Sequence, residues 1–204
     1  MIDRSKELSA IKRRIPKIDP VFADPIKRLA PCTFGLEKPK QTHYQSLIRA
    51  VIAQQVSSTA ARTIGGRLQE RCGGSITAAK VGALSPKHLQ AVGLTGAKVR
   101  TIDELTQATL AGDVNFKRFP HMSDHEIVAE LVPLFGIGQW TVEMFLIFQL
   151  GRLDIWPVGD LAVRRGWDML HKNVDPIKPK ALHDLGEQFS GMRSVVAWYC
   201  WRAS

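Results

Sequence analysis

The sequence predicts an all-α fold. Apolar residues recur at three- and four-residue spacing along most of the chain, no segment sustains the strict alternation of a half-buried strand, and Ser, Thr or Asp stands where successive helices should begin. The N-terminal stretch to about Gln41 mixes prolines with basic residues and predicts short or irregular helices. Thr42 with Gln45 then makes a capping box, and Tyr44, Leu47, Ile48, Val51 and Ile52 follow as one buried stripe. A second helix carries Ala60, Ala61, Ile64 and Leu68 and is stopped by Gly73-Gly74, and Ser85-Pro86 starts a short third one. Val99, Ile102 and Leu105 mark another, ending near Gly112. Ser123 and Glu126 form a second capping box, followed by Ile127, Val128, Leu131, Val132 and Leu134 in a helix that runs into Phe135-Gly136-Ile137-Gly138. Beyond it, Gln139–Leu150, Asp160–His171, Ala181–Phe189 and Met192–Arg202 read as further helices. There is no internal repeat and no low-complexity linker.

With 204 residues, 45% hydrophobic and 23% charged, the chain is expected to bury a real core as one domain or two small lobes, which excludes disordered and fibrous classes. The apolar run Met144–Leu150 is far shorter than the roughly 18 to 20 residues of a membrane span, and Met1-Ile2-Asp3-Arg4 lacks the character of a signal peptide. A soluble cytoplasmic protein, nucleoid-associated if bacterial, is the expectation. Cys32, Cys72 and Cys200 lie far apart without any paired CxxC spacing and read as structural thiols. His121 and His125 are four apart, but His121 precedes the Ser123 cap and lies outside the helix, so no zinc site is expected.

Lys plus Arg exceed Asp plus Glu by 28 − 19 = +9. The excess runs from Lys12-Arg13-Arg14 through Arg67 and Arg71 to Arg164-Arg165 and Arg202, so it belongs to the folded surface and favours a polyanion, most simply nucleic acid. The alternative, a basic protein without a specific partner, stays open on charge alone. The segment Leu131 to Thr141 narrows the choice. Two helices joined through Gly136-Ile137-Gly138 make a hairpin whose glycines permit a tight turn and open backbone N–H groups toward a phosphate, although an ordinary αα-hairpin has the same outline.

This hairpin resembles that of the helix–hairpin–helix DNA glycosylase superfamily. Asp160, at a helix start about twenty residues on, is in register with that superfamily's aspartate. Ile52-Ala53-Gln54-Gln55-Val56-Ser57 resembles the Gln-rich motif of alkylpurine glycosylases of the 3-methyladenine type II family, and Arg193-Ser194 to Trp198-Tyr199-Cys200-Trp201-Arg202 looks like their C-terminal helix. The resemblance implies a two-lobed all-α fold without an N-terminal β domain. Residues 42–150 would form one helical lobe ending in the hairpin, and 1–41 plus 151–204 a second lobe carrying the catalytic Asp, with DNA bound across the cleft. Strand-cleaving members carry a lysine two residues after the second hairpin glycine, where this chain has Trp140. The implied enzyme is therefore monofunctional, with no iron–sulfur cluster, no zinc, and a structural Na or K ion at the carbonyls of Val132, Leu134 and Ile137. Its partner would be double-stranded DNA containing alkylated bases, and a monomer is expected.

The chemistry suits these residues. Cleaving an N-glycosidic bond builds oxocarbenium character on the sugar, which a nearby carboxylate stabilises; Asp160 would have this role, and an N-cap would equally explain it. Methylated purines are cationic and leave readily, so one carboxylate suffices. By resemblance Trp140, Met144 and Trp201 line the base pocket, Met144 standing where some members have tyrosine. By the same resemblance Gln55 would be the wedge that fills the duplex after base extrusion, with Gln54 beside it, and Gly136, Ile137, Gly138, Thr141, Arg164 and Arg165 would hold the backbone, although a solvated Gln pair and a charged helix face would equally explain the glutamines and arginines. Two rivals remain: a glycosylase of the same fold for other damaged bases, and a non-catalytic DNA-binding module.

Overall fold

A computed structural model describes residues 3–204. Met1-Ile2, on which the signal-peptide expectation partly rests, lies outside them. The described residues are helical, with no strand among them. In chain order the α-helices are α1 (Arg4–Ile18), α2 (Ala23–Arg28), α3 (His43–Ala53), α4 (Ser58–Arg71), α5 (Ala78–Gly82) and α6 (Pro86–Ala91). Then come α7 (Gly96–Ala111), α8 (Asp124–Leu131), α9 (Gln139–Met144), α10 (Leu161–His171), α11 (Pro179–Gly186) and α12 (Arg193–Ala203). No described helix is long and apolar enough to cross a membrane. The chain forms two compact units, one made of the N-terminal segment through Lys38 with Leu146–Ser204, the other of Pro39–Phe145.

In the first unit the N-terminal stretch is more regular than expected. Asp3 caps α1 by accepting the N–H groups of Ser5 and Lys6, and Leu8, Ile11 and Ile15 bury one stripe. Pro16 is tolerated because it stands in the last turn, where it deprives only the Lys12 carbonyl of its donor. Phe22, Trp167 and Phe189 meet in a buried aromatic cluster. The most extensive helix pairing among the described residues is α10 on α12, brought close at Gly166, where a Cβ would run into the Cys200 backbone.

The second unit is organised around α3, whose Leu47, Ile48, Val51 and Ile52 are almost completely buried against α4, α7 and α9. Burial of each such side chain stabilises the fold by about 1.5 to 3 kcal/mol. Thr42 caps α3 with a single bond from the Gln45 N–H, 3.1 Å, whereas Ser123 and Glu126 close a reciprocal capping box at α8. The short α5 on α7 was not legible in the pattern. Two expected helices end early. α8 stops at Leu131, since Pro133 has no N–H to continue the ladder, which leaves Val132 exposed. The expected helix Gln139–Leu150 gives way after Met144 to a π turn over Phe145–Gln149. Phe145 packs with His43 and Phe119 in the second unit, and Phe148 with Phe34 and Trp201 in the first.

Candidate active site and nucleic-acid interface

Asp160 lies in the first unit at the end of a tight turn. Val158 and Asp160 donate their N–H groups to the carbonyls of Trp156 and Pro157, both at 2.9 Å, and Asp160 then adopts an extended conformation as the N-cap of α10. Its Oδ1 accepts the Val163 N–H at 2.9 Å and the Trp201 indole N–H at 3.1 Å. Only 8% of the residue is exposed. Both bonds converge on one carboxylate oxygen and help fix the rotation of the group. The turn before it is anchored by the start of α12. Arg193 grips Asp154 through two bonds of 2.7 and 2.8 Å, and Ser194 Oγ accepts the Ile155 N–H at 2.9 Å. Trp156 donates its indole N–H to the Leu182 carbonyl at 2.8 Å. One helix, α12, therefore holds both ends of the segment from Asp154 to Asp160.

Beside the carboxylate stands an aromatic wall. The Trp201 ring lies 5.5 Å from Phe148 at an interplanar angle of 32°, and Phe34 presses edge-on against both Phe148 and Trp198. Phe148 is 54% exposed, the only large aromatic of the wall so open to solvent. The sequence reading missed it, because a Phe inside the run Met144–Leu150 looks like core; its exposure is the signal. Of the other C-terminal aromatics, Tyr199 is buried, and Trp198 donates its indole N–H to Ala30 at 2.9 Å under the Arg202 guanidinium. Arg165 is exposed on α10, whereas Arg164 is half-buried with one nitrogen 3.5 Å from the Ile177 carbonyl.

The hairpin lies in the second unit. Leu134 and Ile137 donate their N–H groups to Leu131 and Leu134, both at 3.1 Å, and Gly136 turns the chain at φ +74. A side chain at Gly136 would collide with Thr101 of α7. Glu104, also on α7, accepts the Phe135 N–H at 2.9 Å; that bond and its pairing with Arg100 hold the carboxyl below the usual glutamate range. Arg100 covers the Phe135 ring at 3.9 Å. Past the turn, Gly138 caps α9 without a side chain, so the N–H groups of Gly138 and Gln139 have no intrahelical partner. Ile137 and Thr141 are buried, Trp140 is 44% exposed, and Met144 is half-buried at the end of α9.

Gln54 ends α3 and donates its amide to the Gly136 carbonyl and to Thr141 Oγ1, both at 3.1 Å. Gln55 is exposed and sits at φ +54, one of two described non-glycine residues in the left-handed region. Lys98, unremarked in the sequence, donates to the carbonyls of Ile52 and Gln54 at 2.8 and 2.7 Å. His121 ends a 3-10 turn and His125 lies in α8, and no group of three or more His, Cys, Asp or Glu that could hold a metal occurs among the described residues. All three cysteines are buried free thiols, and burial pushes Cys32 up to about 11.

A family model described as HhH-GPD superfamily base excision DNA repair protein matches residues 48–189. DNA-3-methyladenine glycosylase 1 of Schizosaccharomyces pombe is 34% identical over 81% of this chain and 74% of its own length. Among solved structures, the S. pombe 3-methyladenine DNA glycosylase in complex with abasic DNA superposes with a TM-score of 0.85 at 28% identity, covering 95% of each chain. The DNA-3-methyladenine glycosidase of Bacillus halodurans does so at 0.82 and 29%, covering 93% of this chain and 86% of its own. The matched span 48–189 contains both the hairpin and the capped aspartate, and the chain belongs to the HhH-GPD superfamily of base excision DNA repair proteins.

Proposed function

We propose that this protein is a monofunctional glycosylase that excises alkylated purines, 3-methyladenine and 7-methylguanine, from double-stranded DNA by hydrolysing the N-glycosidic bond. The observation that carries this reading is Asp160: a carboxylate 8% exposed, its rotation fixed by Val163 and Trp201, beside an aromatic wall. As the bond from sugar C1′ to the base nitrogen lengthens, positive charge grows on the sugar ring, and a preoriented carboxylate stabilises it without reorganising. The bonding electrons leave with the base, which departs neutral because the alkylated purine began as a cation. Water then adds to C1′ and loses its proton to Asp160 or solvent.

Trp201 and Phe148 offer the departing base a flat, electron-rich surface. A cationic base gains about 0.5 to 2 kcal/mol of cation–π attraction there that unmodified adenine or guanine lacks. Trp140 occupies the hairpin position where strand-cleaving relatives would place a lysine, so no amine at that position is available to attack the sugar. In the second unit, the N–H groups of Gly138 and Gln139 would receive a phosphate. Gln55 would fill the space left by the extruded nucleotide. A monovalent cation would be held by carbonyls alone: Leu134 O spends one lone pair on Ile137 N–H and retains a second, and the ion would add positive field beside that phosphate.

The test is release of free methylated bases from alkylated duplex DNA by wild type and Asp160→Asn. Asn caps a helix as well as Asp does, so this variant should unfold at nearly the wild-type temperature, whereas Asp160→Ala loses about 0.5 to 2 kcal/mol. Base release should collapse in Asp160→Asn, and wild-type product should break only after alkali. Undiminished release by Asp160→Asn, or strand breaks before alkali, would contradict the reading.

A further inference from the structure

The turn between α3 and α4, in the second unit, is fixed from three directions. Helix α3 ends with orphan carbonyls, as every helix does. Lys98 of α7 supplies donors to two of them, Ile52 O at 2.8 Å and Gln54 O at 2.7 Å. The Gln54 side chain reaches the other way, to Gly136 O and Thr141 Oγ1 at 3.1 Å each, so its amide is spent on the hairpin. Ser57 starts α4 by accepting the Ala60 N–H at 3.2 Å. Between these anchors only Gln55 and Val56 protrude, and Gln55 does so in the left-handed conformation that L-residues avoid for the clash of Cβ with the carbonyl. Such a conformation persists only where the surroundings impose it. Gln54 and Gln55 thus have opposite fates: one is tied down, the other presented.

We infer that Lys98 is a positioning residue for Gln55: by binding the Ile52 and Gln54 carbonyls it holds the turn in the geometry that projects Gln55 into the duplex. This rests on the reading of Gln55 as the wedge. Lys98 touches neither the base nor the sugar in this account and acts only through the turn. Burial pushes its ammonium below the usual lysine value, in keeping with a group withdrawn from water to serve two carbonyls. Because Gln54 joins the same turn to Gly136, the wedge and the phosphate-binding hairpin also form one hydrogen-bonded assembly.

The experiment uses a duplex with a tetrahydrofuran abasic analogue flanked by 2-aminopurine, whose fluorescence rises when it is unstacked. Affinity for this duplex is measured against an undamaged one, for wild type, Lys98→Met, Gln55→Ala and the double variant. Lys98→Met should lower the preference for the abasic duplex by about tenfold or more, the factor for loss of a hydrogen bond to a charged group, and abolish the fluorescence rise. The double variant should be no worse than Gln55→Ala, and Lys98→Arg, which keeps charge and donors, should restore both signals in part. Should Lys98→Met fail to fold, Lys98→Gln is read in the same way. A lower melting temperature with preference and fluorescence intact, or additive losses in the double variant, would overturn the inference while the wedge reading stands. If Gln55→Ala leaves both signals unchanged, the wedge reading itself has failed and the inference with it.

Discussion

Replacing Gly166 with alanine puts a methyl group where α10 meets α12. Its carbon would lie 2.5 Å from the Cys200 carbonyl carbon and 2.9 Å from the Cys200 Cα, with the carbonyl oxygen nearer still. Carbon contacts prefer about 3.5 to 4.0 Å, so the helices must separate by about 1 Å. The obstacle is backbone, which has no alternative rotamer to escape into, and this places the cost at the upper end of overpacking, about 3 kcal/mol. For a chain of this size each kcal/mol lowers Tm by about 2 to 4 °C, so a fall of about 6 to 12 °C is expected. Trp201 is the next residue after Cys200, and its bond to Asp160 is 3.1 Å. Opening the crossing by about 1 Å takes that bond beyond hydrogen-bonding range. A hydrogen bond to a charged group contributes about 1.5 to 3 kcal/mol, which corresponds to a loss of about 10- to 150-fold in excision rate if it is expressed in the transition state. The assay pairs thermal unfolding with single-turnover base release well below the variant's Tm. A Tm within about 2 °C of wild type would refute the steric argument. A large fall in Tm with an unchanged rate would refute the link between the helix crossing and the carboxylate.

Two further outcomes follow from the same structure. Gly136→Ala puts an L-residue at φ +74 and a methyl against the Thr101 hydroxyl, so stability should fall by more than the about 1 to 2 kcal/mol of the backbone term, with weaker binding to undamaged duplex. Adding Thr101→Ala should recover only the steric part, as read by urea unfolding and a salt titration of affinity. At Asp154, burial raises the carboxyl pKa but the Arg193 hydrogen bonds and charge outweigh it, so the value falls below its ordinary 3.8. A depressed folded-state pKa means stability that is present above 3.8 and lost as pH falls through the lower folded value. The difference in urea midpoint between wild type and Asp154→Asn should therefore be full near neutrality and shrink below about pH 4; a difference that grows on acidification would be the wrong sign.

Much of the helical frame was legible because it depends on local rules. Thr42, Ser85, Ser123 and Asp160 each cap the helix that follows, since a side-chain oxygen three residues before an orphan N–H reaches it in any context, and Ser57 and Thr95 do the same at helices whose caps the sequence reading did not name. The exceptions were local rules overridden by packing. α1 forms despite Pro16 because Leu8, Ile11 and Ile15 bury a stripe, and the helix expected through Leu150 is broken by a π turn.

Sequence alone determined the all-α class, the glycine hairpin, the order of the motifs and the candidate carboxylate, because residue type and spacing along one chain suffice for helical periodicity, caps and turn glycines. Tertiary structure decided what those residues touch. It brought Trp201 to Asp160 across forty-one positions, exposed Phe148 beside them, tied Gln54 to the hairpin while leaving Gln55 projecting, and set Lys98 beneath that turn. None of these pairings leaves a trace in spacing. Each depends on where two helices cross, and a crossing is settled by the packed surfaces of both, such as Gly166 against the Cys200 backbone.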